Sequence, residues 1–445
     1  MEKVLIANRG EIALRILEAC REEGLQVVTV HSQAEKEALH VRLSPESVCI
    51  GPPPPAKSYL NVGAILAAAE LTGADAVHPG YGFLSENPDF AEACRDLGLT
   101  FIGPPPEVLR RCGDKVEARR YAQRAGVPVL PGSPPLHTKE ELLRWASELG
   151  YPLLLKAVSG GGGRGIRLVR DEAELLEGFT RAQREAKSSF GNQALYLERY
   201  IPSPRHVEVQ VLADSQGHIV HWGTRDCTVQ RRYQKVVEES PAPGLSEDMR
   251  RRLGAAAVKV AEAVGLVGVG TVEFLVDGES FYFIEINPRI QVEHPVSEVR
   301  VGRNLIREQL RIAQGEPLGY QQEQIEFWGW AMEVRINAED PEHDFLPSTG
   351  KVHIHSLPGG MGVRLDTHIY QGMEVLPYYD PLLAKVITFG ETREETRVRM
   401  YSALRRLEIS GVKTNKELLL DIISHPEFAQ AKHATDLLDR LTHHQ

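Results

Sequence analysis

The sequence of 445 residues lacks three features that would narrow its class at once: paired cysteines, a long uncharged apolar run and an excess of basic residues. Its five cysteines are widely spaced, which excludes a disulfide framework and a cysteine-based zinc site and suits a reducing compartment. The 51 basic residues against 61 acidic ones give a net charge of −10, so a generic nucleic-acid binder is disfavoured.

Apolar runs are short throughout the chain. The best of them, residues 263–272, lies between Glu262 and Glu273, well below the roughly 18 residues that a transmembrane helix needs. The first residues carry charge and no apolar core, so we expect no secretory signal peptide. We therefore expect a cytoplasmic protein with no membrane partner. At about 150 residues per domain, about three domains are expected.

The first hundred residues alternate between strand and helix patterns. Residues 3–7 predict a buried parallel strand, residues 11–24 an amphipathic helix and residues 25–32 the next strand. Strands that alternate with helices favour a doubly wound parallel sheet. From about residue 205 the strands follow one another, which predicts a mixed or antiparallel sheet. The tail from about residue 329 mixes short strands with a final helical pair.

Four consecutive glycines at 160–163 lie between two predicted strands, 151–158 and 166–170. This loop has neither the Gly-Lys-Ser/Thr ending nor the strand-to-helix position of a Walker P-loop. Bare N–H groups of successive glycines can close over phosphate oxygens, and Lys156 adds positive charge at the end of the preceding strand. We expect an anion-binding loop, with a flexible loop of no function as the alternative.

An acidic hairpin at 271–295 offers ligands for a hard cation. Glu285 and Asn287 share one face of their strand because side chains alternate, and Glu273 lies on the partner strand. We predict a three-residue loop, 277–279, which makes the two carboxylates diagonal neighbours about 7–8 Å apart, close enough for both to hold Mg²⁺. A two-residue turn would exclude this site. The alternative is a solvent-facing strand edge with ordinary charges.

Two further segments carry charged residues that could belong to a functional site. After the hairpin, Arg289, Gln291 and Glu293 alternate, and an arginine beside a carboxylate can hold a small oxyanion and deprotonate it. A salt-bridged strand end has the same pattern.

Residues 225–239 are dense in Arg and Lys, as a solvated basic face or an RNA-binding patch would be. Lys235 joins the acidic hairpin only if the fold brings the two together.

Together these motifs resemble the ATP-grasp superfamily and, within it, the biotin carboxylases. The resemblance extends in order over nearly the whole chain, through ANRGEIA (7–13), HPGYGFLSEN (78–87), GDKVEARR (113–120), KAVSGGGGRG (156–165), PRHVEVQV (204–211), RDCTVQRRYQKVVEE (225–239), FIEINPRIQVEHPV (283–296), RINAEDP (335–341) and GVKTN (411–415). It implies an α/β and α+β fold with an N-terminal Rossmann-like domain (1–113), an ATP-grasp lid with the mobile glycine loop (114–204), a central ATP-grasp sheet with the magnesium and bicarbonate site (205–328) and a C-terminal mixed domain (329–445).

What the resemblance implies for function is ATP-dependent carboxylation of biotin. ATP phosphorylates bicarbonate to carboxyphosphate, and the carboxyl group then passes to N1 of biotin. This is the first half-reaction of a biotin-dependent carboxylase, such as the acetyl-CoA carboxylase of fatty acid synthesis or a pyruvate carboxylase built from separate chains. The implied cofactors are ATP and two Mg²⁺ (or Mn²⁺) ions, with biotin as a carrier-bound substrate.

The resemblance also implies roles for individual residues. The implied nucleotide contacts are Lys115, Lys156, Gly162 and Gly163 at the phosphates, Glu198, Arg199, Tyr200, Ile201 and Leu275 around the adenine, and His206, Gln230 and Tyr233 (where the family commonly has His) near the ribose. The implied metal ligands are Glu273, Glu285 and Asn287. The implied bicarbonate and biotin residues are Lys235, Arg289, Gln291, the backbone N–H of Val292, Glu293 as general base, Arg335 beside the biotin enolate, and Tyr81 and Gly82 at the edge of the biotin site.

The expected partners follow from what the sequence omits. No Lys is flanked by Met, so the Met-Lys-Met biotinylation string is absent and we expect biotin on a separate biotin carboxyl carrier protein. Carboxyltransferase subunits and a second copy of the chain are the other expected partners. The competing interpretations are another ATP-grasp ligase, a nucleotide-binding regulatory protein without turnover, and an RNA-binding protein. The final acceptor, acetyl-CoA, propionyl-CoA or pyruvate, stays open.

Overall fold

The computed structural model describes residues 1–158, 166–190, 193–232 and 234–442. The N-terminal strands are β1 (Lys3–Ile6), β2 (Gln26–His31), β3 (Glu46–Cys49), β4 (Ala76–His78) and β5 (Thr100–Phe101), and the helices are α1 (Gly10–Glu22), α2 (Leu39–Leu43), α3 (Val62–Thr72), α4 (Pro88–Asp96) and α5 (Pro106–Gly113). The five strands are parallel in the order β3-β2-β1-β4-β5. The central strand β1 is almost wholly buried, as a strand covered by helices on both faces must be. The predicted parallel sheet is confirmed.

The next segment forms a small separate sheet. Its elements are α6 (Lys115–Arg124), α7 (Lys139–Leu149), β6 (Leu153–Ala157), β7 (Ile166–Val169), α8 (Glu172–Phe190) and β8 (Leu195–Arg199). The sheet order is β7-β6-β8, with antiparallel neighbours. The glycine loop therefore joins two paired strands, as predicted. Gly162 and Gly163 lie outside the described residues.

The following elements are β9 (Arg205–Ala213), β10 (Ile219–Arg231), β11 (Gln234–Ser240), α9 (Glu247–Val264), β12 (Gly268–Asp277), β13 (Ser280–Asn287), α10 (His294–Val301) and α11 (Leu305–Ala313). The last part of the chain contains β14 (Trp330–Asn337), β15 (Glu339–Asp340), β16 (Leu346–Pro347), β17 (Gly350–Lys351), β18 (His353–Ser356), β19 (Val363–Thr367), β20 (Glu374–Val375), β21 (Leu382–Gly390), α12 (Arg393–Arg406), β22 (Glu408–Ser410), α13 (Lys416–Ser424), α14 (Pro426–Ala429) and α15 (Leu437–Thr442). In the described part of the chain, no helix combines the length and apolarity needed to cross a membrane.

One antiparallel sheet of eight strands connects the centre of the chain with its C-terminal part. Its order is β13-β12-β9-β10-β11-β14-β21-β19. The sheet continues across the predicted boundary at 328/329, because β14 pairs with β11. The hydrophobic core on one side lies between this sheet and helices α6 and α9. Helix α10 packs against β10, β11, β14 and β21, which places it over the middle of the sheet.

The acidic hairpin differs from the prediction in its turn. Strands β12 and β13 are joined by two residues, 278–279, so the predicted three-residue loop is wrong. The register then shifts by one residue at Ile284, which is an extra, bulged residue in β13. Because one inserted residue moves all later side chains to the other face, Glu285 lies directly opposite Glu273. The expectation that a two-residue turn excludes the site is therefore also wrong.

Candidate functional site

Three glutamates form a row across neighbouring strands of the large sheet. Glu285 of β13 pairs with Glu273 of β12, which pairs with Glu208 of β9. The row ends at Arg225 of β10, whose Nε donates to Glu208 at 2.5 Å, with both side chains fully buried. Like charges at such spacing repel unless cations lie among them.

Lys235 is the cation at the centre of this row. Its Nζ lies 2.5 Å from Glu208, 3.0 Å from Glu273 and 2.7 Å from Glu293. Burial would lower the pKa of Lys235, but the three carboxylates raise it well above its usual value. The fold thus brings the basic segment to the acidic hairpin, which the sequence had left open.

Glu293 is fully buried immediately before helix α10 and is held by two cations. Its Oε1 accepts from Lys235 and its Oε2 accepts from Arg335 at 2.8 Å. Burial alone would raise the pKa of Glu293, but Lys235 and Arg335 outweigh it and lower the pKa well below the usual range. Glu293 is therefore an ionised carboxylate in a buried site, which is the form that a general base requires.

Arg289 makes its contacts with residues other than Glu293. The Nε of Arg289 lies 3.0 Å from Glu86, and its NH2 group donates to Asn287 at 3.2 Å. Gln291 turns back to the row of glutamates and donates to Glu273 at 3.1 Å. These contacts hold the three alternating side chains at one end of the site.

Two carboxylates and an amide make up the candidate metal centre. The Nδ2 of Asn287 lies 2.9 Å from Glu273 and 3.5 Å from Glu285, so the three side chains converge. His206 lies 2.7 Å from the other oxygen of Glu273, and Lys115 lies 3.2 Å from Glu285. An oxygen-rich, negatively charged set that now holds protein cations fits Mg²⁺.

Two lysines predicted to contact the nucleotide, Lys156 and Lys115, pair with glutamates at this site. Lys156 and Arg119 both contact Glu198, which is nearly buried, so the side chain of Glu198 faces these cations. Lys115 is the first residue of α6, whose N-cap Asp114 accepts from backbone N–H groups and fixes the start of the helix.

Of the remaining residues predicted to contact the nucleotide, some are described and others lie outside the described residues. Arg199 is exposed at the end of β8, and Tyr200 and Ile201 follow it. The ring of His206 contacts Gln230 at 2.5 Å, and Leu275 is its partner in the ladder of β12 and β9. Tyr233 is outside the described residues.

Tyr81 and Gly82 line a cavity of about 310 Å³ between the N-terminal domain and the start of β21. The hydroxyl of Tyr81 donates to Glu11 at 2.5 Å. Lys385 contacts Glu11 at 3.0 Å and donates to the carbonyl of Val292 at 2.9 Å. One lysine therefore connects the cavity wall with the segment that carries Glu293.

Sequence reasoning did not single out Glu208, Arg225 or Glu86. For Glu208 a signal was present, because the strand at 205–213 alternates polar and valine residues. A strand whose polar face is also buried must place those side chains in a polar site. For Arg225 and Glu86 the signal is weak, since each is one charged residue among many.

Comparison with known proteins agrees with this geometry. The model described as "Biotin carboxylase, N-terminal domain" matches residues 1–109, "Carbamoyl-phosphate synthase L chain, ATP binding domain" matches 114–321, and "Biotin carboxylase C-terminal domain" matches 333–440. Biotin carboxylase 1 of Bacillus subtilis is 50% identical over 442 residues, which cover 99% of this chain and 98% of the relative. Biotin carboxylase of Pseudomonas aeruginosa is 54% identical over 432 residues, which cover 97% and 96%.

Among solved structures, the biotin carboxylase domain of 2-oxoglutarate carboxylase from Hydrogenobacter thermophilus superposes with a TM-score of 0.97 at 47% identity. The match covers 99% of this chain and 98% of that one. That structure is a dimer in complex with Mg·ADP, ADP and bicarbonate. Identity at this level over almost the full length of the relatives shows the family: the chain belongs to the biotin carboxylases.

Proposed function

We propose that this protein carboxylates biotin, using ATP and bicarbonate. The observation that carries the proposal is Glu293, a buried ionised carboxylate held between Lys235 and Arg335 and next to the Glu273–Glu285 pair. A base, two cations for an oxyanion and a set of metal ligands in one site suit the deprotonation and phosphorylation of bicarbonate.

In the proposed nucleotide site, Lys115 and Lys156 leave their glutamate partners and contact the phosphates of ATP. The other residues proposed for ATP are Gly162, Gly163, Glu198, Arg199, Tyr200, Ile201, His206, Gln230, Tyr233 and Leu275. Mg²⁺ held by Glu273, Glu285 and Asn287 would supply positive charge to the transferred phosphoryl group.

In the proposed bicarbonate step, the anion lies among positively charged and amide groups of β11 and of the segment that follows β13. The groups proposed to bind it are Lys235, Arg289, Gln291 and the backbone N–H of Val292. Glu293 removes the proton, and the freed oxygen attacks the γ-phosphorus, so that ADP leaves and carboxyphosphate forms. Lys235 stays protonated throughout because three carboxylates surround it.

In the proposed second step, the bond between the carboxyl group and phosphate breaks, the leaving phosphate takes the N1 proton of biotin, and the carboxyl group forms a bond to N1. Arg335 leaves Glu293 and stabilises the negative charge that develops on the ureido oxygen, where a fixed cation has its largest effect. The cavity beside Tyr81 and Gly82 would admit the ring, since it opens between two domains next to the segment that carries Val292.

We further infer the setting in which the reaction occurs. A separate biotin carboxyl carrier protein would deliver biotin, carboxyltransferase subunits would use the product, and the chain would form a homodimer. All five cysteines are free, which suits the cytoplasm. We propose acetyl-CoA carboxylase as the complete enzyme. Reconstitution with carrier and carboxyltransferase subunits, with acetyl-CoA, propionyl-CoA and pyruvate compared as acceptors, tests this assignment.

The experiment that tests the function measures ADP release with Mg·ATP and bicarbonate, with and without free biotin. We expect strong stimulation by biotin and a loss of at least about a hundredfold in Glu293→Gln, because general-base catalysis contributes on that scale. Glu308→Gln is the matched control, since Glu308 is a buried glutamate on α11 that contacts Arg303 away from the site. ATP turnover that ignores both bicarbonate and biotin would indicate an ATP-grasp ligase for another acid.

A further inference from the structure

Two buried glutamates lie beside Arg335 and have no part in the steps described above. Glu238 of β11 and Glu333 of β14 are directly paired across neighbouring strands, and Arg335 is two residues beyond Glu333 on the same face. Both glutamates are fully buried. A strand pair of two carboxylates in the interior requires a specific reason, because buried charge is costly.

Arg335 is shared between Glu238 and Glu293. Its Nε donates to Oε1 of Glu238 at 2.7 Å, and its NH2 group lies 2.5 Å from the same oxygen and 2.8 Å from Glu293. Because the guanidinium is planar, a carboxylate at the Nε edge fixes the plane in which all its N–H groups lie. Glu238 therefore orients the group, while Glu293 is a partner that a substrate oxygen can replace.

The surroundings of the two glutamates disfavour a charge on both. Neither oxygen of Glu333, nor Oε2 of Glu238, has a hydrogen-bond partner among the described residues. Burial raises the pKa of Glu333 well above its usual value; the charges of Lys385 and Arg335 oppose this rise, and those of Glu238 and Glu293 add to it. Burial likewise raises the pKa of Glu238 to about 7, although Arg335 opposes this. Burial thus favours the neutral form of Glu333, while the pKa of Glu238 lies close to neutral pH.

We propose that Glu238 is a positioning residue for Arg335. The charge of Glu238 sets how firmly the guanidinium of Arg335 is held for the ureido oxygen of biotin. Glu333 stays a neutral acid, so that Glu238 can carry a charge beside it in the interior. The inference rests on the role proposed above for Arg335. It assigns Glu238, in addition to Glu293, to the control of Arg335 during the carboxylation of biotin.

Other charged and titratable groups face this pair from each neighbouring element. The groups that act on Glu238 are Lys235 on its own strand, Glu293 before α10 and Arg335 on β14. Glu238 in turn raises the pKa of Cys227 on β10, and Lys385 on β21 acts on Glu333. The charge of Glu293 raises the pKa of Glu238. When Glu293 accepts the proton of bicarbonate, that repulsion ends and Glu238 ionises more readily. Glu238 then holds Arg335 more firmly at the stage when Arg335 leaves Glu293.

The test compares Glu238→Gln with Glu239→Gln. Glu239 is the next residue on the same strand, is also buried and contacts an arginine, Arg393, at 2.7 Å, but it lies on the other face. For Glu238→Gln we expect the KM for biotin to rise about tenfold, because a charge-assisted hydrogen bond is lost, while the KM for ATP stays within about twofold. The control should change neither KM.

The pH profile supplies a second readout that a merely structural role would not change. The biotin-dependent rate of the unmodified protein should rise as the pH passes through about 7, where Glu238 ionises. This rising limb of the pH profile should be absent in Glu238→Gln and should return in Glu238→Asp, which restores an acid. Glu333→Gln replaces a neutral acid by a neutral amide and should keep both the KM for biotin and the limb.

Each outcome decides between this inference and the function on which it rests. If Arg335→Met raises the KM for biotin but Glu238→Gln changes neither that KM nor the pH limb, the positioning role of Glu238 is wrong and the proposed function stands. If Arg335→Met leaves the KM for biotin unchanged, the role of Arg335 itself fails. If Glu238→Gln does not fold, Glu238→Asp and Glu333→Gln are measured in its place. A tenfold rise of the KM for biotin in Glu333→Gln would show that Glu333 is charged and would overturn its assignment as a neutral acid.

Discussion

Glu273 and Glu285 lie directly opposite each other on neighbouring antiparallel strands, although the two-residue turn between those strands would by itself place them on opposite faces. The bulged residue Ile284 restores the alignment. One inserted residue thus creates the oxygen-rich pair that fits Mg²⁺. The cost of two facing carboxylates is reduced by Lys115 on one side and by Lys235 and His206 on the other.

The first prediction concerns this metal centre. In Glu285→Gln we expect the Mg²⁺ concentration for half-maximal ADP release to rise about tenfold or more, because a carboxylate ligand of a hard cation is replaced by a weaker neutral oxygen. A Mg²⁺ titration at saturating ATP measures it. Glu279→Gln, at the exposed turn of the same hairpin, is the control. An unchanged Mg²⁺ requirement in Glu285→Gln would remove Glu285 from the metal site.

The second prediction concerns nucleotide affinity. Lys156→Met should weaken ATP binding about tenfold, since a lysine that contacts phosphate is lost, yet the fold should persist because Arg119 remains to pair with Glu198. Calorimetric titration with a non-hydrolysable ATP analogue measures the Kd. Lys139→Met, at the first residue of α7, is the control. Equal Kd values for all three proteins would contradict the role of Lys156.

The third prediction concerns the buried ion pair at the end of the glutamate row. Arg225→Met should lower the free energy of unfolding by about 3–5 kcal/mol, because Glu208 would lose a buried partner. The double variant Arg225→Met with Glu208→Gln should recover part of this loss, since no unpaired charge remains. Urea denaturation measures both. A loss below about 1 kcal/mol in the single variant would mean that Lys235 alone compensates Glu208.

The fourth prediction concerns acid stability. Burial would raise the pKa of Asp366, but Arg364 outweighs it and lowers the pKa to about 2. A depressed carboxylate pKa stabilises the folded state above the unfolded value of about 4, and the contribution disappears as the pH falls towards 2. Asp366→Asn should therefore cost about 2 kcal/mol at neutral pH and almost nothing near pH 2. Denaturant unfolding across this range measures the difference, and a pH-independent difference would contradict the ion pair.

Local patterns predicted the elements that hold the site. The apolar run at 3–7 forms a buried parallel strand, and the glycine run joins two paired strands because its flanks have strand composition. The hairpin of Glu273 and Glu285 was also visible, but its turn and its bulge were not. A bulge depends on how the whole strand fits its neighbours, which turn residues alone do not specify.

The sequence alone determined which types of residue follow one another along the chain. From it came the alternation of strands and helices, the free cysteines, the oxygen ligands on one hairpin and the motifs of the family. Only the tertiary structure decided which charges meet. Lys235 reaches Glu293 across 58 positions of the chain, Arg335 is shared with Glu238, and Arg289 pairs with Glu86. The physical reason is that ion pairing depends on distance and burial in space, and these are set by strand order and register in the large sheet.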